Sequence, residues 1–120
     1  MFEIEFYENA KGESELWDFL ESLREQAETN KDSRIQYKQI IFYIELLKNS
    51  GTRLSENITK HLDDGIWELR PGSNRVFYFF YRDNRFVLLH HFRKKTQKTP
   101  KREIEKAKAE RADYLSRKER

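Results

Sequence analysis

The chain has no cysteine, which excludes disulfides, cysteine nucleophiles and thiolate metal sites. This absence fits a reducing compartment, and we expect a cytoplasmic protein. No apolar run reaches membrane-spanning length, and the N-terminal stretch MFEIEFYENA lacks a signal-peptide pattern. The sequence also lacks a glycine-rich phosphate loop and carboxylates at metal-ligand spacing, so it predicts neither a cofactor nor a metal.

Glycine and proline are scarce, at four and two residues, so each one marks a break in regular structure. Aromatic residues make up 14% of the 120 residues and charged residues 38%, which favours one domain with an aromatic core and a charged surface. The net charge is only +3, but residues 93–102 carry six cations and no acid. This basic strip indicates a polyanion contact, and the alternative is a solvated helix end.

Residues 2–7 alternate apolar and polar side chains and predict an edge strand. Helical spacing of apolar residues predicts one helix over 14–27 and a second from an Asp32 or Ser33 cap to about residue 49, with Gly51 as its terminator. Residues 52–64 are less regular. Thr99 and Pro100 predict the start of a C-terminal helix that runs to about residue 116.

Residues 65–95 form the centre of the chain and predict a three-stranded meander with strands over 66–70, 75–82 and 85–92. The connections are Pro71-Gly72-Ser73-Asn74 and the two-residue turn Asp83-Asn84. The predicted fold is α+β: two N-terminal helices packed on a small twisted antiparallel sheet, made of the N-terminal strand and the meander, followed by a C-terminal helix. Residues 1–120 form a single domain in this prediction.

The turn lengths predict a register in which Arg70 faces Arg75, Tyr81 faces Phe86 and Phe92 faces Arg75. Alternation then separates two faces. The face predicted to pack on the two helices carries Trp67, Leu69, Val76, Tyr78, Phe80, Val87, Leu89 and His91. The opposite face carries Ile66, Phe79, Tyr81, Phe86 and Leu88 at one end, and Glu68, Arg70, Arg75, Phe77, His90 and Phe92 at the other.

Arg70 and Arg75 suggest an anion site because two like charges facing each other across a sheet cost stability unless an anion lies between them. Guanidinium groups suit phosphate. Glu68 serves either as their salt-bridge partner, which we favour, or as an acid/base group. Lys94 and Lys95 leave the sheet at the same end and complete a cationic pocket.

Stacking and proton transfer complete the predicted site. Phe92 or Trp67 could stack on a base, as is common in single-stranded RNA recognition. His90 points to the polar face and is a candidate acid or base, whereas His91 is predicted to be buried. His61, next to Lys60, is a second candidate. Cleavage by a neighbouring 2′-hydroxyl needs a base, an acid and cations but no metal.

Three segments carry a family resemblance: GIWELR, NRVFYF and LLHHFRKKTQKTPKREIEKA. They resemble the HigB-like, phage-associated branch of the RelE/ParE toxin superfamily. The resemblance implies a compact RelE-like toxin of a type II toxin–antitoxin system that cleaves mRNA on the ribosome without a metal. It also implies a cognate HigA-like helix-turn-helix antitoxin, whose complex with the toxin binds operator DNA.

In family terms, Arg70, Arg75 and the Lys94/Lys95 pair stand where cationic active-site residues are expected. Two departures matter. The RelE branch carries lysines on the first meander strand where this chain has Ile66 and Glu68, and no tyrosine lies between residues 92 and 100. The base therefore stays open among His90, His61 and Glu68, and the residues expected to contact RNA are Lys60, His61, Phe92, Lys95 and Lys98.

Two other functions remain open from the sequence. A ParE-like gyrase poison would share the fold without cleaving RNA. A non-catalytic nucleic-acid-binding module would use the basic strip as a phosphate contact only.

Overall fold

A computed structural model describes residues 1–119 and confirms the α+β class. The strands are β1 (Glu3–Phe6), β2 (Thr59–Asp63), β3 (Ile66–Leu69), β4 (Asn74–Tyr81) and β5 (Arg85–Arg93). The helices are α1 (Glu15–Gln26), α2 (Lys31–Ser50) and α3 (Lys101–Lys118), and a short 3₁₀ turn, Gly51–Arg53, follows α2. Helices α1 and α2 lie on one face of the sheet and α3 lies on the other.

The sheet differs from the prediction in two ways. It has five strands in the order β1-β5-β4-β3-β2, and it is mixed rather than antiparallel, because β1 pairs parallel to β5. The additional strand, β2, arises in the stretch expected to be irregular and pairs antiparallel with β3. A turn at Asp64 and Gly65 joins them, and both residues have positive φ, at 48° and 77°.

The helical hairpin on the first face follows from capping and apolar spacing. The Ser14 side chain accepts a hydrogen bond from the Trp17 N–H at 3.1 Å and caps α1. Asn30, rather than Asp32 or Ser33, caps α2. Helix α2 ends at Gly51 as predicted, where φ is 63° and an added Cβ would lie 2.7 Å from the Phe2 ring.

The register of the β4–β5 hairpin is shifted by one residue near its turn. Tyr81 pairs with Arg85 instead of Phe86, because the loop has three residues, and its Asp83 and Asn84 both have φ of 62°. A bulge between Val76 and Tyr78 then restores the predicted pairing of Arg75 with Phe92.

This shift exchanges some side chains between the two faces. Phe86 and Leu88 pack with the α1 and α2 cluster, whereas Val87 and Leu89 pack with α3, the reverse of the prediction. Phe80 is 51% exposed instead of packed on the helices. The predicted packing of four other residues on the hairpin is confirmed: Trp67, Leu69, Val76 and Tyr78.

Helix α3 begins at Lys101, directly after Pro100, and covers the second face. Its buried residues are Ala107 and Tyr114, and Leu115 packs beside them. No helix within residues 1–119 combines the length and the apolar character needed to cross a membrane.

Candidate active site

The candidate site lies at one edge of the molecule, where β3 and β5 end and β4 begins. Arg70 follows β3, Arg75 stands on β4 opposite Phe92, and Lys94 follows β5. Lys60 on β2 pairs with Glu68 on β3 and so reaches the same place. We call this group, which consists of Lys60, Glu68, Arg70, Arg75 and Lys94, the cationic cluster.

Glu68 is the centre of the cationic cluster and is only 1% exposed. Its Oε2 atom lies 3.4 Å from Arg70 Nε and 3.9 Å from Arg75 Nε. Its Oε1 atom accepts a hydrogen bond from the Thr99 hydroxyl at 2.8 Å. One buried carboxylate therefore holds two guanidinium groups in place, and the cluster keeps an excess of positive charge.

Arg75 is held rigidly at the base of the cluster. Its Nη1 donates to the carbonyl oxygens of Gly72 at 2.7 Å and Asn74 at 2.9 Å. Burial lowers the pKa of its guanidinium. The negative charge of Glu68 raises this pKa, and the positive charge of Arg70 lowers it. Its Nε is buried and makes no hydrogen bond. Arg75 also lines an open cleft, where a fixed cation is suited to an anionic ligand.

Arg70 repeats this pattern on the neighbouring strand. Its Nη1 donates to the Glu56 carbonyl at 2.8 Å, which orients the guanidinium from the other side. Its Nε is also buried and, although near Glu68, makes no hydrogen bond with good geometry. Two guanidinium groups thus reach Glu68 from neighbouring strands.

Lys94 stands at the mouth of the cluster. Its backbone N–H donates to the Ser73 carbonyl at 2.7 Å, which ties the segment after β5 to the β3–β4 turn. Burial, followed by the charges of Arg75 and Arg70, lowers the pKa of the Lys94 amine. This amine therefore releases its proton more readily than a solvated lysine does.

An open cleft of about 430 Å³ leads to these residues. Its lining contains three cations and no acid: Gly72, Ser73, Arg75, Lys94, Lys95, Thr96 and Gln97. A larger cavity of about 1050 Å³ lies elsewhere, between β1 and α1, and its lining is rich in acids. The charge of the lining, and not the volume, makes the smaller cleft the candidate phosphate site.

Comparison with known proteins identifies the family. Residues 18–112 match the family model described as phage derived protein Gp49-like, and this span contains the whole cationic cluster. The chain belongs to the Gp49-like family.

Two further comparisons accompany this match. The search of curated proteins gave no match to the Gp49-like chain. Among solved structures, it resembles the YoeB dimer from Staphylococcus aureus at 17% identity, over 74% of this chain and 92% of that one, with a TM-score of 0.47. A similarity of this size carries no argument about activity.

His90 does not lie in the exposed position that was predicted for an acid or base. His90 is 1% exposed and lies beneath α3, so it is not on an open polar face. Its Nδ1 lies 2.5 Å from Glu110 Oε1 and its Nε2 lies 3.0 Å from Glu103 Oε1. Both ring nitrogens are engaged by α3, and the geometry gives His90 the role of anchoring that helix.

His61 lies on β2, beside the first residues of β3. It pairs with Trp67, and its Nε2 accepts the Gly65 N–H at 3.1 Å in the turn after β2. Because neighbouring residues on a strand point to opposite faces, His61 faces away from the side of the sheet that Lys60 shares with Glu68. The structure therefore brings Lys60 into the cluster and leaves His61 outside it.

The remaining predicted contact residues surround the cleft or form part of the core. Phe92 is half-buried against the α3 side, and Trp67 is half-buried against the hairpin helices. Lys95 and Lys98 are exposed on the segment between β5 and α3, where the Lys98 carbonyl accepts from Thr96. This segment is thus the exposed cationic rim of the cleft.

Thr99 is a site residue that the sequence did not reveal. The pattern Thr-Pro predicted a helix cap, but Pro100 occupies the cap position and the Thr99 side chain bonds Glu68 instead. Tyr114, the first tyrosine after β5, lies near the C-terminal end of α3 and donates to Glu5 at 2.9 Å. Burial and that bond raise the pKa of Tyr114 to about 12.

Metal ligands do not gather in the described part of the chain. Within residues 1–119, no group of three or more histidines and carboxylates is arranged to hold a metal ion. Of the cations of the cluster, Arg75 and Lys94 line the cleft.

Proposed function

We propose that this Gp49-like chain is the toxin of a type II toxin–antitoxin pair and an endoribonuclease that cleaves mRNA on the ribosome. One observation carries the proposal: two guanidinium groups share one buried carboxylate beside an open cleft whose lining contains three cations and no acid. The resemblance of the meander to RelE-type toxins of the HigB-like branch supports the choice of RNA as the substrate.

The proposed reaction is an internal displacement at phosphorus. The 2′-oxygen attacks the adjacent phosphate, the P–O5′ bond breaks, and the products carry a 2′,3′-cyclic phosphate and a 5′-hydroxyl. Arg70 and Arg75 stabilise the charge that develops on the phosphate oxygens. Glu68 positions the two guanidinium groups and takes no proton, since both of its oxygens are already engaged.

Lys94 carries the proton transfer in this mechanism. The amine, whose pKa lies below that of a solvated lysine, takes the proton of the 2′-hydroxyl, and the leaving 5′-oxygen takes a proton from water. Lys94 takes this role instead of His90, because α3 covers His90, and instead of His61, because His61 faces away from the cluster. Lys60, Lys95 and Lys98 contact neighbouring phosphates, and Phe92, which pairs with Arg75, borders a base.

The proposed biological setting is the cytoplasm. A HigA-like helix-turn-helix antitoxin binds the toxin, blocks cleavage, and carries the complex to operator DNA. The toxin itself then contacts DNA only through that complex.

Expression of the chain alone tests the proposal. We expect growth arrest, together with discrete cleavage sites in translated regions when induced cells are probed by primer extension. A reporter mRNA whose start codon has been removed should stay intact, because the ribosome no longer presents it. Growth arrest with intact mRNA and induced DNA damage would identify a gyrase poison, and an absence of arrest would identify a binding module.

A further inference from the structure

The outer edge of β1 is an unpaired strand edge. The amides of Glu3 and Tyr7 donate to the carbonyls of Asn84 and Leu88 beside or within β5. Because strand amides alternate in direction, those of Ile4 and Phe6 point away from β5. The Phe2 amide donates to the Lys48 carbonyl at 2.8 Å, so the open edge begins after Phe2.

The two ends of the sheet differ in how this edge is protected. The other edge strand, β2, carries the exposed Lys60 and a register irregularity before Asp63, both of which discourage further pairing. Strand β1 has no lysine, proline or bulge within Glu3–Phe6. Its regular backbone is therefore the better acceptor for another strand.

An apolar groove runs beside this edge. Ile4, Phe6 and Trp17 line both the cavity of about 1050 Å³ and an adjoining cavity of about 270 Å³ between α1 and α2. Trp17 is 51% exposed, and its ring meets Phe6 edge to face at 5.2 Å. An exposed tryptophan above an apolar groove is typical of protein interfaces.

The charges around the groove select the occupant. Among the lining acids, Glu3 and Glu5 are paired with Arg85 at 3.0 and 3.1 Å. Three other acids of the lining form no ion pair among the described residues: Glu8, Glu13 and Asp18. Lys48 is the lysine of the lining that likewise forms no ion pair within residues 1–119. The surplus is negative, so the groove repels phosphate and attracts a cationic segment.

A second copy of this chain is a poor fit to the same edge. Antiparallel pairing of two β1 edges would place glutamates of the sequence Glu3–Phe6 beside glutamates of the partner. Like charges that face each other across a sheet are destabilising. The occupant is therefore a different polypeptide.

We propose that the β1 edge binds an extended segment of another protein in which lysine or arginine flanks a run of aliphatic residues. The segment adds as a sixth strand next to β1. Its backbone bonds Ile4 and Phe6, its aliphatic side chains enter the groove at Trp17, and the cations at its ends meet Glu13 and Asp18. The surface lies apart from the cationic cluster and does not depend on RNA cleavage.

A synthetic capped hexapeptide with lysine at both ends and valine between them is the probe, titrated into the full chain and followed by NMR. We expect saturable shifts at the amides of Ile4 and Phe6 and at the Trp17 indole, with slower hydrogen exchange at the two amides. A peptide methylated on its pairing nitrogens should lose this binding. The corresponding glutamate–valine peptide should not bind.

Matched variants test the charge argument. Glu13→Gln with Asp18→Asn should weaken peptide binding about two- to tenfold, whereas Glu25→Gln with Glu28→Gln, exposed on or just after the same helix, should leave it unchanged. Arg75→Ala should bind the peptide as the unaltered chain does, which separates this proposal from the proposed cleavage.

Four results would overturn the proposal. The first is no peptide binding, and the second is equal binding of the acidic peptide. The third is a concentration-dependent shift at Ile4 and Phe6 without peptide, which would assign the edge to a second copy. The fourth is the same shift with oligouridine, which would assign the edge to nucleic acid.

Discussion

Arg75 is a cation kept in a buried position where its desolvation is only partly offset. It is 8% exposed, and its charge partner Glu68 is shared with Arg70. A buried cation without full compensation lowers stability. In the proposed mechanism, the same burial that lowers stability keeps the guanidinium oriented before a phosphate binds.

Replacement of Arg75 by alanine should lower cleavage at least about a hundredfold, because the variant loses a fixed donor to the developing phosphate charge. Single-turnover cleavage of a translated reporter mRNA measures the loss, and circular dichroism checks the fold. Arg82→Ala is the matched control, since Arg82 is exposed and pairs with Glu119 at the other end of the molecule. Unchanged cleavage by the Arg75 variant would contradict the placement of the site.

Glu68→Gln distinguishes a structural carboxylate from a catalytic one. Because the variant leaves two cations without their shared partner, the free energy of unfolding should fall by about 2–3 kcal/mol. Added phosphate should restore part of that loss by replacing the missing charge, and should stabilise the unaltered chain less. Urea unfolding with and without phosphate measures both effects. Unaltered stability together with lost cleavage would make Glu68 an acid/base group instead.

The sequence predicted the neighbourhood of Arg70, Arg75 and Lys94 because short turns fix where strand ends meet. It could not predict the burial of His90, which depends on two glutamates that lie on α3, 13 and 20 residues further along the chain. Nothing in the spacing of residues on α3 marked Glu103 and Glu110 as partners for a histidine ring.

At the scale of elements, one aromatic stack joins the helical hairpin to the sheet. His91 of β5 lies parallel to Phe19 of α1, with 3.6 Å between ring centres and 10° between planes. Burial, and then the charge of His90, lowers the pKa of His91 to about 4, while Glu15 raises it. The neutral ring is thus the form that packs on α1.

This contact predicts a pH dependence. The unfolded state binds a proton at His91 near pH 6.5, whereas the folded state does so only near pH 4, so stability is complete above pH 6.5 and falls as the pH drops towards 4. Between pH 7.5 and 5.5, we expect a loss of about 1 kcal/mol in urea unfolding. His91→Phe keeps a stacked ring and should lose that part of the dependence. An identical pH dependence in the variant would contradict the assignment.

The register of the β4–β5 hairpin shows where element prediction stops. Asp83 and Asn84 were predicted correctly as turn residues, and both have positive φ. The loop nevertheless has three residues, because it also includes Arg82. The bulge near Phe77 then removes the offset, so the site end of the hairpin was predicted and the turn end was not. Alternation alone cannot locate a bulge, because one extra residue leaves both flanking patterns intact.

At the scale of the whole molecule, a net charge of +3 hides a strong asymmetry. Cations gather at the cluster and its rim, whereas acids gather around the β1 edge. The two sides of the molecule therefore attract different classes of partner.

The asymmetry predicts a salt-dependent affinity for RNA. With about four phosphates neutralised, the logarithm of the association constant should fall against the logarithm of salt concentration with a slope of about −3. Fluorescence anisotropy with an uncleavable 2′-O-methyl RNA measures the slope. Lys95→Ala should make it shallower by about 0.7, while Lys31→Ala, exposed at the start of α2, should leave it unchanged. Equal slopes for both variants would remove Lys95 from the phosphate contacts.

The parallel pairing of β1 with β5 also sets an order of assembly during synthesis. Residues 3–6 have no strand partner until residues 85–88 have been made, which at ordinary translation rates takes roughly 4–16 s. The first strand to leave the ribosome is therefore among the last to enter the sheet, and this long-range closure slows folding. During that interval, the backbone of β1 is open on both sides to any strand that reaches it first.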